Sequence, residues 1–91
     1  NNPSNFVLKL NLGMALVGHG KVEEALHQFD QLIKTKPHHG VYYGRAISNY
    51  RLGKIEEALV DIERAIKLDP KNNRYRVLRE QILKPTPPSN R

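Results

Sequence analysis

The sequence predicts an all-α fold: two antiparallel helix-turn-helix repeats and a C-terminal capping helix, stacked as an α-α superhelix. Three observations predict it. The stretch "GKVEEALHQFDQLIKTKP", Gly20 to Pro37, returns 33 residues later as "GKIEEALVDIERAIKLDP", Gly53 to Pro70, with nine of eighteen positions identical. Apolar residues run at three- and four-residue steps through both blocks and through the segments around them. A helix pair recurring at such a period cannot bury its apolar face alone, so its neighbour must cover it. No segment alternates as a strand.

A first helix is predicted over 4–18, with Ser4 as a possible cap and Leu8, Leu12, Ala15 and His19 at helical steps. The second, 22–35, carries Val22, Leu26, Phe29 and Ile33 on one stripe. Glu23 and Glu24 stand in its first turn and Lys34 in its last, as the helix dipole favours, and Pro37 stops it. The third, 40–51, places Tyr42, Ala46, Asn49 and Leu52 on roughly one face. The fourth, 55–68, repeats the second with Ile55, Leu59, Ile62 and Ile66, acidic Glu56 and Glu57, Lys67 and then Pro70. Gly20 and Gly53 fall where a left-handed cap ends the preceding helix. The fifth, 73–83, opens on asparagines suited to N-caps and aligns Tyr75, Leu78 and Ile82 before Pro85. The closing "PTPPSNR" reads as a disordered tail.

Small residues recur where helices would cross: Gly13 and Ala46 on first helices, Ala25 and Ala58 on second ones. Small side chains let two helix axes approach closely, and a bulkier replacement pushes them apart. Arg79 lies 33 residues after Ala46 and cannot admit a partner helix at close range, so the fifth helix is expected to cap the array.

Ninety-one residues make one small domain. With 38% hydrophobic and 26% charged residues the composition is that of a globular chain, expected to be soluble and intracellular, with no further sign of compartment. No apolar run approaches a membrane span and no signal-peptide pattern opens the chain. The absence of cysteine excludes disulfides and thiolate chemistry. Without an initiating Met, the chain is expected to be part of a longer one. Residues 71–91 hold Lys71, Arg74, Arg76, Arg79, Lys84 and Arg91 against Glu80 alone, so nearly all of the net +6 sits at the C-terminal end.

The two registered blocks resemble the tetratricopeptide repeat family. The first carries Leu12-Gly13, Gly20, Ala25, Phe29 and Pro37; the second carries Ala46, Gly53, Ala58, Ala65 and Leu68-Asp69-Pro70. The resemblance covers residues 6 to about 84 and divides the chain into a lead-in over 1–5, repeats over 6–38 and 39–71, a capping helix over 72–84 and the tail over 85–91. It departs from the family at Lys9, where an aromatic is usual, at Leu32, where a small residue is usual, and in a period one residue short. The missing residue is expected to shorten the linker near His38, His39 and Gly40.

The resemblance implies a non-catalytic module for binding proteins, with first helices lining a concave groove and second helices forming the back. The thirteen residues before each block, "VLKLNLGMALVGH" and "GVYYGRAISNYRL", share none at the same offset. A lining cut to a ligand would differ in this way; plain divergence would produce the same difference. Carried over residue by residue, the lining is Val7, Leu10, Asn11, Met14 and Val17, then Tyr43, Gly44, Ile47, Tyr50 and Arg51, with Arg76, Val77 and Glu80 from the cap. Such a floor would take a peptide or helix of a partner through apolar anchors, with Arg51 and Arg76 favouring neighbouring acidic residues. The "carboxylate clamp" that some members use for acidic C-terminal tails is missing: its places hold Leu10, Met14, Gly44, Asn73 and Val77, and shifting the last helix by one gives Arg74 and Leu78, recovering one donor only.

The alternative is a structural role: pairing with a second copy, or with neighbouring repeats of a longer protein, for which the uncovered Leu8 and Leu12 argue. Nucleic-acid binding is disfavoured, because the basic C-terminal helix lacks aromatic residues for base stacking apart from Tyr75. No catalysis, cofactor or metal is expected. His19, His27, His38 and His39 show no metal-site spacing and read as structural or surface residues. "GHGK" at Gly18 to Lys21 lacks the Ser/Thr and the preceding strand of a phosphate loop.

Overall fold

The computed structural model describes residues 3–84, with side chains from residue 5 onward. The order is α1 (Pro3–Gly18), α2 (Val22–Thr35), α3 (His39–Arg51), α4 (Ile55–Leu68) and α5 (Asn73–Leu83), with no strand among the described residues. All five helices lie within one residue of the spans expected. α1 begins at Pro3, so Ser4 stands inside its first turn. The tail over 85–91 lies outside the described residues.

Equivalent turns join the two helices of each hairpin, α1 to α2 and α3 to α4. Gly20 and Gly53 have φ of 82° and 81°, the left-handed region that an L side chain rarely adopts. In each turn the next amide closes a six-residue loop: Lys21 N donates to the Leu16 carbonyl and Lys54 N to the Asn49 carbonyl, both at 2.8 Å. The glycine amides donate to Val17 and Tyr50, both at 3.0 Å, completing Schellman motifs. The linkers differ. Three residues separate α2 from α3 and four separate α4 from α5, the shortening expected beside His38. His38 accepts the Gly40 amide at 2.9 Å and caps α3; Asn72 accepts the Arg74 amide at 3.0 Å and caps α5.

Each helix packs on the next in chain order, and α1–α3 and α3–α5 also come close, whereas the backbones of α2 and α4 do not. The stack therefore closes on the side of the odd-numbered helices and opens on the other. Two apolar clusters fill it. Val17, Ala25, Phe29, Leu32 and Val41 form the first; Tyr42, Ala46, Ala58, Ile62, Ala65, Tyr75, Leu78 and Ile82 form the second. Ile33 and Ile47 pack against both and join them.

Phe29 organises the first cluster. Its ring is fully buried between α1 and α3, so close that a Cβ on Gly13 would stand 2.5 Å from Cε1 and one on Gly44 2.4 Å from Cζ. The small residue expected at Gly13 is thus a seat for this ring. In the second repeat the volume is shifted: Ile62 replaces Phe29 and Ala46 replaces Gly13, and both are fully buried.

Candidate functional site

On the odd-helix side, α3 and α5 enclose an open cleft of about 480 Å³ lined by Tyr43, Ile47, Tyr50, Arg51, Asn73, Arg74, Val77, Leu78 and Gln81. The α3 residues recur at steps of three and four, which places them on one face beside the buried Tyr42, Ala46 and Asn49. Tyr43, Ile47 and Tyr50 are half-buried against the second cluster, so their rings and side chain are held from below. The Tyr50 hydroxyl reaches across to the Gln81 carbonyl at 3.4 Å. Arg51 and Arg74 are the charged groups of the lining, and no carboxylate lines it.

The expected lining residues separate into three groups. Tyr43, Ile47, Tyr50, Arg51 and Val77 converge on the cleft. Leu10 and Met14 of α1 are half-buried against the first cluster, where Ile47 also packs, and Asn11 beside them is exposed. Val17 and Gly44 stand apart from both groups. Val17 is 4% exposed within the first cluster, and Gly44 is covered by the Phe29 ring, so neither offers surface to a ligand.

Arg76 is likewise not in the cleft: its guanidinium donates to the Pro70 carbonyl, and Arg74 takes the lining position. The buried set of α5 departs from that of α3 at one place. The register of α3, which buries 42, 46 and 49, would bury 75, 79 and 82, but α5 buries Tyr75, Leu78 and Ile82. An arginine cannot fill the place of Ala46, so Arg79 turns outward to Glu63 at 3.5 Å and Leu78 turns in. Val77, in the cleft wall, and Leu83, at the end of α5, are both more than half exposed.

A cluster of rings crosses the odd helices near the α3 N-terminus. Phe6 meets His38 edge-on at 5.3 Å, and His38 stacks on His39 at 4.1 Å. His39 Nδ1 lies 2.7 Å from the Tyr75 hydroxyl and 3.7 Å from an Asp69 carboxylate oxygen. The Tyr75 ring in turn lies 4.8 Å from that of Tyr43, in the cleft wall. Burial, then Asp69 and Tyr43, push the Tyr75 phenol up.

Sequence reasoning missed one further constellation. Where α2 and α4 part, a hollow of about 570 Å³ opens, and Arg45 stands in it. Its guanidinium donates to both Asp61 carboxylate oxygens, at 3.0 and 2.9 Å, and to Asp30 at 2.9 Å. Asn49 adds a bond to Asp61 at 3.0 Å. Burial works against the Arg45 charge, but Asp61 and Asp30 outweigh it and hold the pKa above its ordinary value. With Asp61 only 2% exposed, the network joins α2, α3 and α4 and is satisfied internally. The signal available was an arginine between the buried positions Tyr42, Ala46 and Asn49, with an aspartate on each neighbouring helix.

Stacked helix hairpins with equivalent turns, closed along one side, define an all-α repeat protein. The family model for the tetratricopeptide repeat matches residues 10–73, and the chain belongs to that family. No curated protein matches it. Tetratricopeptide repeats generally mediate protein–protein interaction and are generally non-catalytic. Among the described residues no helix is long and apolar enough to cross a membrane.

Proposed function

We propose that this chain is a non-catalytic interaction module of two repeats, 6–38 and 39–71, and a capping helix, 72–84, that binds a peptide or helix of a partner protein along its odd-helix side. One observation carries the reading: apolar and aromatic side chains of α3 and α5 line an open cleft whose charges are Arg51 and Arg74. Tyr43, Ile47 and Tyr50 supply anchoring surface, and Leu10 and Met14 extend it across α1. Preformed walls lower the ordering cost of binding, and acidic residues flanking the partner's apolar anchors would meet the two arginines. The test is capture of partners by the chain and by its Tyr43→Ala and Tyr50→Ala variants. Loss of capture with helical circular dichroism retained supports the cleft; undiminished capture by both variants overturns it.

A second reading, self-association or packing within a longer repeat protein, is favoured by a specific match of register. Leu8, Leu12 and Ala15 lie 33 residues before Val41, Arg45 and Ser48. On α3 this face turns to α2: Val41 packs in the Phe29 cluster and Arg45 bonds Asp30. On α1 it is uncovered, with Leu8 at 64% and Leu12 at 51% exposure. Sedimentation over a concentration series separates the readings, since a strict monomer argues against pairing of copies.

A further inference from the structure

The row of rings Phe6, His38, His39, Tyr75 and Tyr43 runs from α1 across the α2–α3 linker to the cleft, and one bond in it fixes a protonation state. His38 Nδ1 accepts the Gly40 amide at 2.9 Å, so this nitrogen carries no proton and the α3 N-terminus is capped by a neutral imidazole. An imidazolium would present N–H to N–H at the same place. We propose that His38 is a proton switch for the α3–α5 cleft: neutral, it caps α3 and anchors the ring row; protonated at Nδ1, it releases the cap and leaves its place against His39.

The surroundings of His38 argue in the same direction. His39 of α3 stacks on its ring at 4.1 Å, and Lys36 of the linker holds its ammonium over Phe6 of α1 at 4.8 Å. Asp69, between α4 and α5, is the counter-charge, but it lies nearest His39, at 3.7 Å. On α5, Tyr75 and Arg74 bear on the far end of the row. Burial, His39 and Lys36 together lower the His38 pKa below its ordinary 6.5, against the pull of Asp69. With the folded value depressed, the unfolded chain takes up its proton first. Stability is full above 6.5 and declines as pH falls from there to the folded value.

The route to the cleft is short. Displacing His39 from its stack disturbs its bond to the Tyr75 hydroxyl at 2.7 Å, and the Tyr75 ring lies 4.8 Å from that of Tyr43, a cleft wall. Acidification should therefore loosen the wall on which the proposed partner rests. This consequence rests on the cleft reading; the switch itself does not.

Proton NMR of the unliganded chain tests the switch independently of any partner. His38 should titrate with a midpoint below 6.5, and the Gly40 amide and the Tyr75 and Tyr43 ring signals should shift with that same midpoint. In His38→Asn the side-chain oxygen keeps an N-cap acceptor without titrating. The tyrosine shifts at the His38 midpoint should then vanish. A His38 midpoint at or above 6.5, tyrosine rings that stay fixed while Gly40 moves, or tyrosine shifts unchanged in His38→Asn would each overturn it.

Discussion

Phe29 of α2 seats its ring on the backbone of Gly44 in α3, where a Cβ would come within 2.4 Å of Cζ. The same ring rests on Gly13 of α1, so one side chain sets the approach of three helices. Gly44→Ala should cost on the order of 1–3 kcal/mol by overpacking, and Gly13→Ala a similar amount. Adding Phe29→Leu to Gly44→Ala should recover part of the loss. Urea denaturation of the three variants measures this, and an undiminished midpoint in Gly44→Ala would show that the ring is not confined.

Arg45 binds Asp61 through two bonds, and Asp61 is nearly inaccessible to water. Arg45→Met leaves a buried carboxylate with Asn49 alone and should destabilise the domain by about 3 kcal/mol. Removing the carboxylate as well, in Arg45→Met with Asp61→Asn, should restore part of it. A double-mutant cycle by chemical denaturation reads the coupling.

The repeated turns were legible because their chemistry is local: Gly20 and Gly53 each need a left-handed backbone, and little else competes at those positions. Helix spans followed from apolar steps and proline stops for the same reason. The cleft was only partly legible. Carrying α3's register onto α5 puts Val77 in the lining, as found, but also Arg76, whose guanidinium goes to the Pro70 carbonyl while Arg74 lines the cleft. Val17 and Gly44 were assigned to the lining by analogy of position, yet the size of Phe29 decides Gly44, and no spacing rule contains it. The Arg45 network depends on three helices meeting at one point, and such a meeting leaves no periodic mark in any one of them.

Tyr43 and Tyr50 stand at the cleft with their lower faces on the second cluster. Truncating either to Ala should weaken partner binding by about 2 kcal/mol, as anchor residues do, while the helical circular dichroism stays close to wild type. Titration of a captured partner by calorimetry provides the number. Unfolding of both variants would assign the tyrosines to the core instead.

Leu8 and Leu12 lie open on α1, so Leu8→Glu with Leu12→Glu should change the stability of the monomer by no more than about 0.5 kcal/mol per site. If copies pair through this face, the same variant should sediment as a monomer at concentrations where wild type does not. Sedimentation equilibrium of the two chains side by side reads the difference.

The most direct test of the central claim, that a protein partner sits between α3 and α5, is photo-crosslinking from two positions of matched exposure. Val77 lines the cleft and is 51% exposed; Val60, on α4, borders the hollow where α2 and α4 part and is 52% exposed. With p-benzoylphenylalanine replacing each in turn, a discrete protein adduct is expected from position 77 and none from position 60. Adducts from position 60 alone would contradict it.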